Sequence, residues 1–245
     1  MIEETIDVAT RDGAMTTFMC WPERGGPHPA VVFYMDAPGI REELRDMARR
    51  LGTAGYLVVL PNMYYRSGRM ELGPIDPAPD SPRRKQMFAL MESLTIPGIM
   101  QDTQAILDLL KDRPAASPGP FGTVGYCMSG TYAINAAANF PDRIRAAASI
   151  YGSHLVTERD DSPHRVAAKA SGELYFACAE IDDWAPPETV DALQAALKTS
   201  GARAELEIYP GVHHGFAFPQ RAVYDKPAAE RHWERLIALF RRNLG

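Results

Sequence analysis

Three residues whose side chains can act together in nucleophilic catalysis lie shortly after predicted strands of this 245-residue chain. They are Cys127 after Phe121–Tyr126, Asp182 after Glu173–Ala179, and His214 after Ala204–Tyr209. A thiol, a carboxylate and an imidazole can serve as nucleophile, orienting acid and base. In a parallel sheet, the loops beyond the carboxyl ends of the strands lie at one edge, so residues far apart in sequence can meet there. The order of the three residues therefore predicts a Cys-Asp-His triad for acyl transfer.

The segment around Cys127 has the pattern of a nucleophile elbow, a strand that turns sharply at the nucleophile into a helix. An apolar strand reaches the cysteine in TVGYCMSG, residues 123–130, and an alanine-rich helix follows. A helix that begins at Met128 would place the thiol at the helix N-terminus, where a thiolate is stabilised. The simpler alternative is a small buried apolar residue, as most free cysteines are. That alternative is the expectation for Cys20 and Cys178, which lie within strand patterns.

Two positions of the predicted triad remain open when only the residues are considered. His213 and His214 lie together in a glycine-bounded loop, and either could be the base. Asp182 and Asp183 compete for the acid, with an ordinary surface turn as the alternative for both. The remaining histidines are expected to be surface or packing residues; they are His28, His154, His164 and His232.

The rest of the chain alternates short apolar segments with segments of helical period. The predicted strands are Glu4–Thr10, Ala14–Trp21, Ala30–Met35, Tyr56–Leu60, Phe121–Tyr126, Arg145–Tyr151, Glu173–Ala179 and Ala204–Tyr209. The predicted helices are Arg41–Thr53, Asp80–Leu94, Gly98–Lys111, Met128–Phe140, Pro187–Ser200 and Ala228–Asn243. An Asp-Gly pair between the first two strands predicts an antiparallel hairpin. The later alternation predicts a mostly parallel sheet of about eight strands with helices on both faces. Met63–Pro79, rich in Tyr, Pro and Gly, is predicted to be a flexible loop or lid.

Composition restricts the possible partners. A net charge of −5 without a basic cluster argues against nucleic acid, and no run approaches the roughly 18 apolar residues of a membrane span. The acidic start, Met1-Ile2-Glu3-Glu4, is not typical of a signal peptide. Three cysteines far apart predict reduced thiols, and hence a cytoplasmic protein with no disulfide framework or zinc site. The length predicts one domain, residues 1–245, in a monomer or small homo-oligomer.

The chain resembles the dienelactone hydrolase family, which are α/β-hydrolases with a Cys-His-Asp triad. The specific match is the Gly-Tyr-Cys elbow. Weaker matches lie at Val31–Gly39, Leu51–Tyr65, Tyr151-Gly152, Glu180–Pro186 and Tyr209–Phe216. The resemblance implies the α/β-hydrolase fold. It selects Asp182, which stands four residues before a proline, and His214, which directly precedes Gly-Phe.

The resemblance also implies roles for residues outside the triad. Family members place a glutamate near the nucleophile, where it influences ionisation of the thiol, and Asp36 takes that position here. Ser129 replaces a glycine of the family elbow and is small enough to be tolerated. The elbow geometry implies an oxyanion hole formed by the backbone N–H groups of Met128 and Ala37.

Substrate specificity is where the chain departs from the family pattern. Dienelactone hydrolases hold a substrate carboxylate with two arginines. Arg83 or Arg84 could supply the first, but Phe218 occupies the second position, which leaves Arg221 as a replacement. The predicted substrate-binding residues are Arg83, Arg84 and Phe218, with an incomplete anion clamp.

The thiol restricts the reaction that the elbow can perform. A thiol has a pKa of about 8.5, far below that of an alcohol, so an intermediate from a plain alkyl ester would expel the thiolate and revert. Enol lactones, aryl esters and thioesters have better leaving groups. The prediction is a cofactor-free and metal-free hydrolase of a lactone or activated ester. The alternatives are a thioesterase or general carboxylesterase with the same triad, and a non-catalytic scaffold that binds a ligand or senses oxidation.

Overall fold

The computed structural model describes residues 1–69, 71–73, 76, 78 and 80–245. Contacts within the chain form two compact units, Met1–Pro118 and Gly119–Gly245, which are described in turn. That the chain is a single domain stays a prediction. The predicted loop or lid Met63–Pro79 lies partly outside the described residues, and within it Tyr65–Ser67 forms a 3₁₀ turn.

The first unit contains a hairpin and two further strands. Its strands are β1 (Ile2–Thr10), β2 (Gly13–Trp21), β3 (Ala30–Tyr34) and β4 (Leu57–Pro61). β1 and β2 pair antiparallel, β2 pairs antiparallel with β4, and β4 pairs parallel with β3. All residues of β3 and β4 are buried, as their continuous apolar sequences require.

Three helices belong to this unit, and α1 and α3 pack against its strands. They are α1 (Glu42–Thr53), α2 (Pro82–Ser93) and α3 (Ile96–Lys111). Ser81 caps α2 by accepting a hydrogen bond from the Arg84 N–H, and proline takes the first helical position, as the sequence predicts. Thr95 caps α3 in the same way, so this helix begins two residues earlier than predicted.

The second unit contains four parallel strands in chain order. They are β5 (Phe121–Tyr126), β6 (Ile144–Ile150), β7 (Glu173–Ile181) and β8 (Arg203–His213). β8 continues four residues beyond the predicted end at Tyr209, through Pro210. Proline is tolerated there because β8 is an edge strand, where a missing N–H breaks no ladder.

Four helices belong to the second unit. They are α4 (Gly130–Asn139), α5 (Pro163–Val166), α6 (Pro187–Ser200) and α7 (Lys226–Leu244). The sequence pattern did not predict α5. Alternate residues of β5 point to opposite faces. The Thr123 hydroxyl donates to the Ala133 carbonyl of α4, whereas a Cβ at Gly122 would lie 2.8 Å from Phe240 of α7. Helices therefore cover both faces of these strands, as predicted.

The described residues contain eight strands, and four of the six pairings within the two units are parallel. The mostly parallel α/β arrangement with an N-terminal antiparallel hairpin is confirmed.

Candidate active site

The turn after β5 brings the chain round more tightly than predicted. Cys127–Ser129 forms a 3₁₀ turn, so the helix expected from Met128 begins as a regular α-helix only at Gly130. Cys127 has φ +56°, a left-handed conformation that is strained for any residue with a side chain. A Cβ at Gly125 would lie 2.0 Å from the Ser129 carbonyl oxygen, so only glycine fits before the turn. The strand therefore ends with the half-buried Cys127 at a sharp bend.

Close packing holds the start of α4 against the end of β6. A Cβ at Gly130 would lie 2.3 Å from Ser149 Oγ and 2.6 Å from the Gly152 Cα, so a side chain has no room there. The loop after β6 also returns to the elbow, because the Ser153 N–H donates to the Cys127 carbonyl at 3.0 Å. Sequence reasoning missed this contact, since Ser153 belongs to no chemical motif.

Asp182 lies directly after β7 and is held in one orientation. Its Oδ1 accepts the backbone N–H groups of Trp184 and Ala185 at 2.8 and 3.2 Å. Its Oδ2 lies 2.8 Å from His214 Nδ1, and its side chain is 1% exposed. One oxygen is thus fixed by the turn, and the other is presented to the imidazole.

His214 lies directly after β8 and faces Asp182 through Nδ1. Burial alone would lower the pKa of His214, but hydrogen bonding to Asp182 and Cys127 and the charges of both raise the pKa to about 9. Since Nδ1 binds the carboxylate, Nε2 is the nitrogen that can act on Cys127. Nε2 is buried, and among the described residues it has no hydrogen-bond partner besides its weak contact with the Cys127 thiol. The arrangement can therefore accept a thiol proton and stabilise the resulting imidazolium.

The competing residues lie elsewhere. His213 is exposed in β8, opposite Ile181, and Asp183 is exposed beside the bound carboxylate. Cys20 and Cys178 are buried, and burial raises the pKa of each thiol to about 12. The structure brings the predicted thiol, carboxylate and imidazole together, and these alternatives do not share their contacts.

A second residue that sequence reasoning missed packs against the imidazole. Tyr151, which directly follows β6, is buried, has φ +37°, and its ring centroid lies 5.1 Å from that of His214. Phe216 packs edge-on against the same tyrosine, also at 5.1 Å. The weaker family match at Tyr151-Gly152 was the available signal, but it assigned no role to the tyrosine.

A family comparison identifies the relatives of this chain. The model of the dienelactone hydrolase family matches residues 15–244. The chain belongs to the dienelactone hydrolase family. It is accordingly a carboxylic ester hydrolase with the α/β-hydrolase fold, and both predictions are confirmed.

Individual dienelactone hydrolase relatives agree with this assignment. A protein of Escherichia coli K12 with the provisional name carboxymethylenebutenolidase is 29% identical over 226 residues, which cover 88% of this chain and 78% of the relative. A Bradyrhizobium protein, provisionally named 2-oxo-3-(5-oxofuran-2-ylidene)propanoate lactonase, is 25% identical over 98% of this chain and 94% of its own. A solved structure from Klebsiella pneumoniae, provisionally a dienelactone hydrolase, has a TM-score of 0.87 at 24% identity and covers 98% of both chains.

The loop after β3 carries the residue that stands at the glutamate position of the dienelactone hydrolase pattern. Asp36 is fully buried, and its carboxylate binds Arg41 through Nη1 at 2.6 Å and Nη2 at 3.2 Å. Arg41 also binds Glu43 and the Gly39 carbonyl. The Tyr64 hydroxyl donates to the Ala37 carbonyl at 2.8 Å. The loop is therefore held by side chains of its own unit, which sequence reasoning did not foresee.

Ser129 stands where the dienelactone hydrolase elbow usually has glycine. Its φ of −86° lies in the right-handed region, so the backbone does not require glycine at this position. Its side chain is fully buried. The structure thus supplies a physical reason for the predicted tolerance, in contrast to Gly125 and Gly130, where a Cβ would collide with neighbouring atoms.

The predicted substrate-binding residues have the following surroundings. Arg83 lies 3.7 Å from Asp76 in an exposed ion pair, and Arg84 donates to the Asp76 carbonyl. Phe218 is fully buried, and the Arg221 guanidinium lies 4.5 Å above its ring. Contact of any of them with substrate stays a prediction.

Two other kinds of feature are absent from the described residues. Within the described part of the chain, no group of three or more His, Cys, Asp or Glu residues is arranged to hold a metal ion. No helix among the described residues is both long and apolar enough to cross a membrane.

Proposed function

We propose that this dienelactone hydrolase family member cleaves a lactone or activated ester through a covalent thioester on Cys127. The observation that carries the proposal is the arrangement of the elbow thiol with His214, whose Nδ1 is fixed by Asp182 at 2.8 Å. Two relatives named for butenolide or furanone-derived substrates make a lactone the favoured class.

In the first half of the reaction, the thiolate forms the acyl-enzyme. His214 Nε2 takes the proton from Cys127 Sγ, and Asp182 stabilises the imidazolium. The sulfur attacks the carbonyl carbon, and the carbonyl electron pair moves to oxygen. We assign the oxyanion to the Met128 N–H, at the start of the turn into α4, with the Ala37 N–H as the second donor. His214 Nε2 then returns its proton to the leaving oxygen as the C–O bond breaks, and the enol or phenol departs or, in a lactone, the enol remains attached to the acyl group.

In the second half, water regenerates the enzyme. Nε2 takes a proton from water, the hydroxyl oxygen attacks the thioester carbonyl, and the C–S bond breaks to release the acid and the thiolate. The choice of thiol favours substrates whose leaving group is a stabilised anion, because a plain alkoxide leaves less readily than the thiolate. Asp36 would tune the ionisation of the thiol, and its two hydrogen bonds from Arg41 hold the carboxylate in place.

The test compares Cys127→Ala with the wild-type protein on p-nitrophenyl acetate, an enol lactone and an acyl thioester. We expect Cys127→Ala to lower kcat/KM at least 10³-fold on every substrate that the wild type cleaves. Cys178→Ala is the matched control, because it removes another thiol from the same unit, and it should retain turnover. Unchanged turnover in Cys127→Ala would overturn the proposal.

The substrate panel separates the alternatives. Faster cleavage of the enol lactone than of the thioester supports the lactonase assignment, and the reverse order would make the protein a thioesterase. No turnover of any substrate, together with slow and non-selective alkylation of the thiols by iodoacetamide, would favour a binding scaffold instead.

A further inference from the structure

A buried histidine on α7 contacts the residue immediately before the elbow cysteine. His232 is 0% exposed, and its Nε2 lies 3.0 Å from the Tyr126 hydroxyl oxygen. Its Nδ1 contacts the Ala229 carbonyl one turn earlier in the helix. A carbonyl oxygen can only accept, so Nδ1 carries a proton, and in the neutral ring Nε2 then accepts the hydroxyl proton of Tyr126. Both nitrogens of a neutral imidazole are therefore used in one tautomer.

The alternation of side chains on β5 explains why Tyr126 reaches this histidine. Gly122 faces α7, where a Cβ would lie 2.8 Å from Phe240, and residues two apart share a face. Tyr126 is four residues further on, so its ring enters the same side and meets His232 edge-on, with ring centroids 5.7 Å apart. The hydrogen bond thus joins the last residue of the strand to the longest helix of the unit.

The elbow needs such support because its backbone is strained. Cys127 has φ +56°, and a conformation of this kind persists only where the surroundings enforce it. From the α4 side, Ser153 holds the Cys127 carbonyl. On the α7 side, Tyr126 can resist rotation of the strand end, because its hydroxyl is anchored by His232.

The same tyrosine is linked by ring packing to the other half of the site. Its ring lies 5.8 Å from that of Tyr151, which packs against the His214 imidazole at 5.1 Å. Phe218 closes the group, with its ring 5.5 Å from Tyr126 and 6.1 Å from Tyr151. A displacement of Tyr126 would therefore affect both the thiol and the imidazole.

We propose that His232 is a positioning residue: through its hydrogen bond to Tyr126, it fixes the elbow that carries Cys127 and, through Tyr151, the orientation of His214. The two hydrogen bonds of His232 described above go to Tyr126 and Ala229, and neither of these residues belongs to the triad. The inference rests on the proposed function of Cys127 as nucleophile. It gives a reason for a buried imidazole at a helix position that an apolar side chain could otherwise fill without the cost of burying polar nitrogens.

The test measures kinetics and thiol reactivity in four full-length variants. His232→Phe keeps a ring but removes the acceptor, and Tyr126→Phe removes the donor. His232→Gln restores an acceptor, because its side-chain amide can reach the place of Nε2. Tyr175→Phe is the matched control, since it removes another buried hydroxyl, bonded to Glu207 and Tyr209, from the same unit.

We expect His232→Phe and Tyr126→Phe each to lower kcat about tenfold, the size of one lost buried hydrogen bond, while KM changes less than about twofold. Iodoacetamide should alkylate Cys127 several-fold more slowly in both variants, as followed by mass spectrometry of the peptide that contains it. The double variant should be no worse than either single variant. His232→Gln should recover most of the loss, and Tyr175→Phe should match the wild type.

The outcomes separate this inference from the proposed function. If Cys127→Ala abolishes turnover but His232→Phe and Tyr126→Phe keep wild-type kcat and alkylation rates, the inference about His232 is wrong. Additive losses in the double variant, or equal losses in Tyr175→Phe, would also overturn it. If Cys127→Ala retains turnover, the proposed function fails whatever the histidine variants do. Should His232→Phe fail to fold by circular dichroism, Tyr126→Phe and His232→Gln decide the result.

Discussion

Two buried aspartates, one in each unit, stand just beyond the ends of parallel strands but have different partners. Asp36 follows β3 and binds the guanidinium of Arg41, which Glu43 also shares. Asp182 follows β7 and binds the imidazole of His214. Both carboxylates are almost inaccessible, with side-chain exposures of 0% and 1%. The sequence around each residue gives little indication of this difference, because both lie in loops with a nearby proline.

A buried carboxylate can take part in proton transfer only if its partner can gain or lose a proton. A guanidinium remains charged at any pH at which the protein is folded, so the Asp36–Arg41 pair holds a loop but exchanges no proton. An imidazole titrates, so the Asp182–His214 pair can change its charge during a reaction. The first pair is expected to govern stability and the second to govern turnover.

Substitution of Asp182 is expected to lower activity far more than stability. Asp182→Asn keeps an oxygen for the Trp184 and Ala185 N–H groups but presents an amide to His214, which favours the wrong tautomer. We expect kcat/KM to fall about 10³–10⁴-fold, equivalent to about 4–5.5 kcal/mol, with a much smaller change in the free energy of unfolding. Steady-state kinetics and urea unfolding measure the two quantities.

Asp183→Asn is the matched control for this prediction. It makes the same chemical change at the neighbouring exposed position and should leave kcat/KM within about twofold of the wild type. If Asp183→Asn lost activity to the same extent, the comparison of the two aspartates would lose its basis.

A large effect on stability is expected at the other pair. Arg41→Met leaves Asp36 buried without its guanidinium, which should lower the free energy of unfolding by about 3–5 kcal/mol. Adding Asp36→Asn should recover part of this loss, because the buried charge is then removed. Arg49→Met, within α1 and in partly exposed ion pairs, should cost about 1 kcal/mol or less. Equal losses for Arg41→Met and Arg49→Met in urea unfolding would contradict the prediction.

A smaller change is expected in the pH dependence of the free energy of unfolding, which the imidazole of the Asp182–His214 pair can produce and the Asp36–Arg41 pair cannot. Burial alone would lower the pKa of His214, yet Asp182 and Cys127 raise it to about 9, above the 6.5 of an unfolded histidine. The resulting stabilisation is complete below about pH 6.5 and is lost as the pH rises through about 9. The free energy of unfolding should therefore fall by up to about 3 kcal/mol over this range, relative to His214→Gln. Urea unfolding of both proteins from about pH 6 to about pH 9.5 checks the sign, and parallel curves would refute it.

Most of the fold follows from local patterns in the sequence. The Asp-Gly hairpin, the apolar strands and the capped helix after Ser81 depend on residues close together in the chain, and each forms as predicted. The end of β8 was missed because Pro210 usually stops a strand, and only the position of β8 at the sheet edge permits the proline. That position is a property of the whole sheet.

In the candidate site too, features set by nearby residues were predicted, and contacts between distant residues were not. The elbow is a local pattern, and chain order and resemblance selected the acid and the base that the structure brings together. The ion pair of Asp36 with Arg41 was not predicted, because the sequence pattern assigns Arg41 to the first position of a helix. The contact between Tyr126 and His232 joins residues 106 positions apart, so no local pattern contains it.

The alternation of side chains along β5 also limits how the chain can vary in length. One face of the strand meets α7 at Gly122 and Tyr126, and the other meets the elbow and α4 at Thr123 and Gly125. A single inserted or deleted residue would exchange these faces, turning the tyrosine toward α4 and a side chain into the space that only Gly125 can occupy. Surface positions of this enzyme can be substituted one at a time. A change of length in this six-residue strand would instead remove both supports of the cysteine at once.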